Sequence, residues 1–363
     1  MICKNRLSAF IKLGLLLNEQ LGSENAEFIE ILTRASQENP WFTENSIRFA
    51  LSGVVEDLSE KNLNDWVSRY TTVSCESALR LRSGLEGSTT PKTIAVIMAG
   101  NLPLVGFRDF LAVLVSGHNI LCKLSSKDSV LLKYLAKKLI EIEPDFSERI
   151  CFENHITKGF DAVIATGGYH AVEHFHECFS KYPHIIRGHR NSCAVLDGTE
   201  NTEDLNGLFE DMFRYFGLGC RNVTKLFVPE GYNFEQLVTV GARHTSTSLS
   251  NLASPLQSSL KQHHLYQSNY KYQTVVLGLS ARQMIDAGTF ILIENSGLTP
   301  PISVVYYEYY SDLADVRNIL DAQKNQIQCI VSRADTPFGQ AQKPTLLDYA
   351  DGVDTMEFLE CRV

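Results

Sequence analysis

A chain of 363 residues with 33 basic and 42 acidic side chains carries a net charge of −9 with histidine neutral. That balance argues against a nucleic-acid-binding body, because phosphate binding needs a basic field, and no basic stripe offsets it. The length is a soft prior for two or three domains, and 44% apolar residues suffice for large cores without staples. No apolar run is long enough to span a bilayer.

The start, Met1-Ile2-Cys3-Lys4-Asn5-Arg6, is basic, but the segment from Leu7 to Asn18 carries Lys12 and an amphipathic pattern. Leu7, Phe10, Ile11 and Leu15 fall on one helical face, shared by Gly14, so a helix is expected rather than a signal peptide. Nine cysteines, at positions 3, 75, 122, 151, 178, 193, 220, 329 and 361, are odd in number and scattered. With no Cys-x-x-Cys pair, they suit a reducing cytoplasm in which most thiols act as small apolar residues.

Residues 1–90 read as a helical N-terminal region, with a boundary in the Gly84–Pro91 stretch. Thr93–Met98 is a short apolar run that predicts a buried parallel strand. A helix over Arg108–Ser116, a strand over Asn119–Leu124, a helix over Ser129–Ile142 and a strand over Asp161–Ala165 follow, then a helix after Gly168. Strands are expected at His184–Ile186 and Ser192–Leu196. This alternation predicts crossover units and a doubly wound α/β domain over 91–204. A second α/β domain, 205–335, is predicted with a helix to Phe216 and a strand over Val223–Val228. Helices around 234–265, strands at 273–278, 290–293 and 302–308, a helix over Asp312–Gln323 and a strand over Ile327–Val331 complete it. Residues 336–363 return to the body.

The chemistry concentrates at glycine turns. In Tyr215-Phe216-Gly217-Leu218-Gly219-Cys220-Arg221-Asn222 the glycines let the backbone turn sharply and a substrate approach the Cys220 sulfur. A buried structural cysteine at a turn is the competing reading, and the glycine context alone leaves the two even. Asn101, at the end of the Thr93–Met98 strand, could donate to an oxyanion or simply cap a turn. Lys123 could bind ribose hydroxyls or phosphate, or reach water from an edge strand. Thr166-Gly167-Gly168 opens a helix, and such an N-terminus favours anions. His170, His174, His176 and Cys178 resemble a metal cluster, but no second ligand pair at finger-like spacing follows. A surface or interface cluster is therefore expected there and at His263-His264.

The order Ala99-Gly-Asn-Leu-Pro-Leu104, Asn119-Ile-Leu-Cys-Lys123, Ala165-Thr-Gly-Gly168 and Gly217-Leu-Gly-Cys220 resembles the aldehyde dehydrogenase superfamily. Pro337-Phe-Gly339 is similar to its late Pro-Phe-Gly segment. Arg187-Gly-His-Arg-Asn191, Arg214–Val223 and Gln342–Asp354 most resemble the LuxC-like acyl-CoA reductases, which reduce fatty acyl thioesters with NADPH. The resemblance spans about 91–345. It implies an aldehyde-dehydrogenase-like fold with two doubly wound α/β domains, the first binding nucleotide and the second carrying Cys220.

It also implies roles for individual residues. Cys220 is the nucleophile and Asn101 the oxyanion donor, with Lys123, Ser125, Thr166, Gly167 and Gly168 at the cofactor and Glu294 near the nicotinamide ribose. The superfamily's general-base glutamate is replaced by Ile186, which favours an acyl-enzyme that awaits hydride over one that is hydrolysed. His189 is a substitute base by position only. The chain is shorter than usual for the superfamily, which puts the usual dimer mode in doubt and leaves homo-oligomerisation open. The sequence alone does not separate NADPH from NADH, or acyl-CoA from an acyl group on a partner protein; residues 1–90 are expected to pack simply, with docking of such a partner as the alternative. Reduction of a small acyl-CoA or acyl phosphate, aldehyde oxidation and non-catalytic acyl binding stay as alternatives.

Overall fold

A computed structural model describes residues 4–23, 25–81, 91–242, 255–280 and 282–363. Cys3 and most of the Gly84–Pro91 boundary lie outside the described residues. The chain divides into two compact units, Met1–Gly188 with Thr345–Val363, and His189–Pro344.

The first unit opens with helices α1 (Lys4–Leu21), α2 (Ala26–Glu38), α3 (Glu44–Asp57) and α4 (Glu60–Leu81). The buried face of α1 carries Phe10, Leu13 and Leu17, whereas Leu15 is 67% exposed. That differs from the expected stripe through Leu15. Gly14 explains the rotation: a Cβ there would lie 2.8 Å from Leu58 Cβ, so the Gly14 face takes the closest helix contact.

Strands β1 (Thr93–Ile97), β2 (Asn119–Lys123), β3 (Ile150–Phe152), β4 (Ala162–Thr166) and β5 (His184–Arg187) alternate with α5 (Phe107–Ser116), α6 (Val130–Ile142) and α7 (Tyr169–Phe179). They form an all-parallel sheet of order β3-β2-β1-β4-β5. Side chains alternate across it. Ile94 and Val96 enter a core with α1–α6, while Ala95 and Ile97 pack with Phe160, Val163 and Phe179 beside α7. Covered on both faces, the strands read as continuous apolar runs. The C-terminal helix α13 (Thr355–Cys361) packs into the first core through Met356, Phe358 and Leu359.

The second unit begins with β6 (Asn191–Val195) and α8 (Thr202–Phe213), which a capping box at Asn201 starts. It continues through β7 (Val223–Pro229), α9 (Glu235–Ala242), α10 (Pro255–Gln262) and α11 (His264–Leu279). The strands β8 (Ile285–Asp286), β9 (Ile291–Glu294), β10 (Val304–Tyr310) and β11 (Ile327–Val331) follow, with α12 (Leu313–Ala322) between the last two. The sheet order is β11-β6-β7-β10-β9-β8, parallel except for β8. The strand expected at 273–278 is instead part of α11. Only one side of that apolar run is covered: Leu277 is buried against Ile291 and Val304, while Val275 is 60% exposed. An apolar run with a solvent face mimics a strand in sequence.

Candidate active site

In the first unit the predicted residues collect along the carboxyl edge of one sheet. Strand order reverses between β1 and β4, and ligands of open α/β sheets bind outside the carboxyl ends at such a point. Asn101 lies just past β1 and is exposed. Lys123 is the last residue of β2, half-buried, and its carbonyl accepts the Met98 N–H at 3.0 Å. Ser125 lies against Gly100, where a Cβ would come within 2.5 Å of Ser125 Oγ. No larger residue fits that crossing.

Thr166 ends β4, and the Gly167 N–H donates to the Arg187 carbonyl at 3.1 Å. A Cβ on Gly167 would meet Ala171 Cβ at 2.7 Å, so glycine lets α7 start against the strand end. Gly168 caps α7 without a side chain, and the space beside it is open. Behind this edge, Arg187 is buried and pairs with Asp109 at 2.7 Å and with Thr355 Oγ1 at 2.8 Å. One guanidinium thereby joins β5, α5 and α13.

Ile186 is half-buried against the core around Phe160, Val163 and Phe179 and offers no base. A cavity of about 520 Å³ lies elsewhere in this unit, lined by His176, His184, Ile186, Asp354, Glu357 and Arg362. None of Asn101, Lys123 or Thr166 lines it.

In the second unit Cys220 occupies the turn that feeds β7 and is partly exposed. The approach is tightly wound: Tyr215, Phe216 and Gly217 have φ of 57°, 61° and 76°. Two consecutive non-glycine residues in the left-handed region cost roughly 1–2 kcal/mol each and persist only where the surroundings hold them. Phe216 is buried and its ring lies 4.2 Å from that of His263. His263 is itself buried and accepts the Tyr266 N–H as the cap of α11; its ring stacks on that of His264 at 5.6 Å, so only His264 of the pair lies at the surface.

Asn222 fixes the other side of the turn. Its Oδ1 accepts from Gly219 N at 2.8 Å, and its Nδ2 donates to the carbonyls of Asp211 at 3.1 Å and Arg214 at 2.8 Å. Ser192 Oγ donates to the Cys220 carbonyl at 2.9 Å, and Arg221 Nε to the Ala341 carbonyl at 2.6 Å. Asp211 accepts the N–H groups of Gly339 and Ala341 at 2.6 and 2.9 Å, tying the Pro337-Phe-Gly339 segment to α8. Burial pushes the Asp211 carboxyl up to about 7 despite these two donors. Burial likewise holds Cys193 protonated, with its thiol pushed up to about 12.

Glu294 ends β9 and is exposed. Strand register places it level with Tyr307 and so with Leu226 of β7. Cys220 precedes Val223, the first residue of β7, which is itself roughly 10 Å upstream of that level at ~3.3 Å per residue.

On α7, Cys178 Sγ lies 3.6 Å from His174 Nε2. Among the described residues no group of three or more His, Cys, Asp or Glu is arranged to hold a metal. None of the described helices is long and apolar enough to cross a membrane. Sequence reasoning missed Asn222 and Asp211. Asn222 alone carried a local signal, two residues past the cysteine.

This pair of α/β units has the aldehyde dehydrogenase fold. Aldehyde dehydrogenase 21 from Physcomitrella patens, solved with succinate, matches at TM-score 0.60 with 15% identity, over 91% of this chain and 73% of that one. An NAD-dependent benzaldehyde dehydrogenase from Corynebacterium glutamicum matches at TM-score 0.59 and 15% identity, over 90% and 75%. An NADP-dependent enzyme from E. coli matches at 0.60 and 13%, over 91% and 73%. The sequence matches no curated protein. A family model described as acyl-CoA reductase (LuxC) matches residues 82–336, and the chain belongs to this family of acyl-CoA reductases.

Proposed function

We propose that the protein reduces a long-chain acyl-CoA thioester to the aldehyde with NADPH, through an acyl-cysteine on Cys220. One observation carries the reading: Cys220 is a partly exposed residue in a turn whose flanking backbone is fixed by hydrogen bonds that Asn222 accepts from Gly219 and donates to Asp211 and Arg214. A cysteine that only filled a core would need no such exposure.

The Cys220 thiolate attacks the thioester carbonyl, the bond to the coenzyme A sulfur breaks, and the thiol departs with a proton. The Asn101 amide and the Cys220 N–H hold the oxyanion. Ile186 in place of a carboxylate leaves the acyl-cysteine without a base to activate water. When bound, the cofactor supplies hydride to the acyl carbon. Cys220 is then released as the hemithioacetal collapses to aldehyde.

The first unit fits an NAD(P) cofactor. Gly168 leaves open space at the start of an eleven-residue helix, whose N–H groups suit phosphate. Lys123 and Ser125 line the end of β2, and Thr166 with Gly167 lines the end of β4. Ser126 and Lys127 at the β2 end are exposed, and the Lys127 ammonium supports a 2′-phosphate and hence NADPH.

The test mixes the protein with acyl-CoA esters of graded chain length and follows NADPH and NADH oxidation. Long chains with NADPH are expected to be fastest. Preference for a short chain or an acyl phosphate would replace the substrate assignment. Cofactor binding with no acylation of Cys220 would make the protein a non-catalytic acyl binder.

A further inference from the structure

The connection between β1 and α5 carries Asn101, and buried side chains grip it on both sides. Before Asn101, the Gly100 carbonyl accepts from Asn39 Nδ2 at 3.1 Å. Asn39 is 3% exposed and follows α2, where its own N–H donates to the Ala35 carbonyl and its Oδ1 accepts from Trp41 N. After Asn101, the Leu104 N–H donates to Asp128 Oδ2 at 2.8 Å. Leu104 has φ 59°, a left-handed conformation that a leucine keeps only when held.

Asp128 is an expensive residue to bury. It is 8% exposed, and its Oδ1 has no hydrogen-bond partner. A well-packed apolar side chain would avoid that cost. It would also release the Leu104 N–H. Asn39 is 61 positions from Gly100 and Asp128 is 24 from Leu104, so neither grip is local turn chemistry.

We propose that Asn39 and Asp128 are positioning residues for Asn101, fixing the backbone on either side so that its amide is pre-aimed at the developing oxyanion. This rests on reading Asn101 as the oxyanion donor. Preorganised donors are effective because they cost no reorganisation during the reaction. The inference also gives the helical N-terminal region a part in catalysis: the junction after α2 supplies one of the two grips.

The test measures the rate of Cys220 acylation by a long-chain acyl-CoA in the full-length protein without cofactor. Asn39→Ala and Asp128→Ala should each slow acylation by about 10- to 100-fold with KM for the acyl-CoA nearly unchanged, as expected for misplacement of a catalytic group by about an ångström. Asp128→Asn keeps an acceptor for Leu104 and should restore most of the rate. In an Asn101→Ala background neither alanine substitution should slow acylation further. Should Asn39→Ala fail to fold, Asn39→Asp keeps the Trp41 acceptor and removes the donor to Gly100. Equal slowing in the Asn101→Ala background and the parent, or parental rates in both single variants, would overturn the proposal. An Asn101→Ala protein that acylates at the parental rate would instead remove the underlying reading, and the proposal with it.

Discussion

Asn222 Oδ1 accepts the Gly219 N–H at 2.8 Å, bridging the turn that holds Cys220. The same side chain donates to the carbonyls of Asp211 and Arg214, so one buried amide braces both the end of α8 and the turn. The turn is rigid because its polar groups are paired inside the second unit.

Replacing Asn222 by Ala leaves one amide and two carbonyls without that partner. A loss of about 1–3 kcal/mol in unfolding free energy is expected for unsatisfied buried groups. Acylation of Cys220 should slow by about 10- to 100-fold from misplacement. Urea unfolding and single-turnover acylation measure the two effects separately.

Lys123→Met should weaken the cofactor more than the thioester. A charge-assisted hydrogen bond contributes about 1.5–3 kcal/mol, so KM for NADPH should rise roughly 10- to 100-fold. The rate of Cys220 acylation without cofactor should not change. Fluorescence titration of NADPH and cofactor-free acylation together check the split.

Arg187 and Asp109 form a buried ion pair, with side chains 6% and 10% exposed. Removing one partner strands the other charge, so Arg187→Met should cost about 3–5 kcal/mol of stability. The double variant Arg187→Met/Asp109→Leu should recover most of that loss, because both charges then leave the interior together. Denaturant unfolding of the three proteins tests it.

Burial pushes the Asp128 carboxyl up to about 7 from an ordinary value of 3.8, with the Leu104 N–H opposing and Glu38 adding to the rise. The native state therefore binds the proton more tightly than the unfolded chain. The stability this group contributes is full below about pH 4 and is lost as pH rises toward 7. Asp128→Asn removes the titration, so its stability relative to the parent should climb between pH 4 and 7 and level off above. Carboxylates held low, such as Asp197 and Asp335, act below that window. A difference of unfolding free energies across pH isolates the effect.

Much of the first sheet was legible because its strands are buried on both faces and read as apolar runs between helices. The glycine turns at Gly100 and Gly167 were legible for a related reason: neighbouring side chains fill the space a Cβ would take. The parts that failed depend on distant partners. The α1 face turned on Gly14 meeting Leu58. The 273–278 run was misread because α11 leaves apolar side chains in solvent. The grips of Asn39 and Asp128 cross long sequence separations and leave no periodic signal.

The central claim is that Cys220 carries the acyl group. Protein incubated with a long-chain acyl-CoA and no cofactor should gain the mass of one acyl chain on the peptide containing Cys220, and NADPH should discharge it as aldehyde. Cys220→Ala should take up no label and lose at least about 1000-fold in turnover. Acylation of a different residue, or NADPH oxidation at the parental rate in Cys220→Ala, would contradict the account.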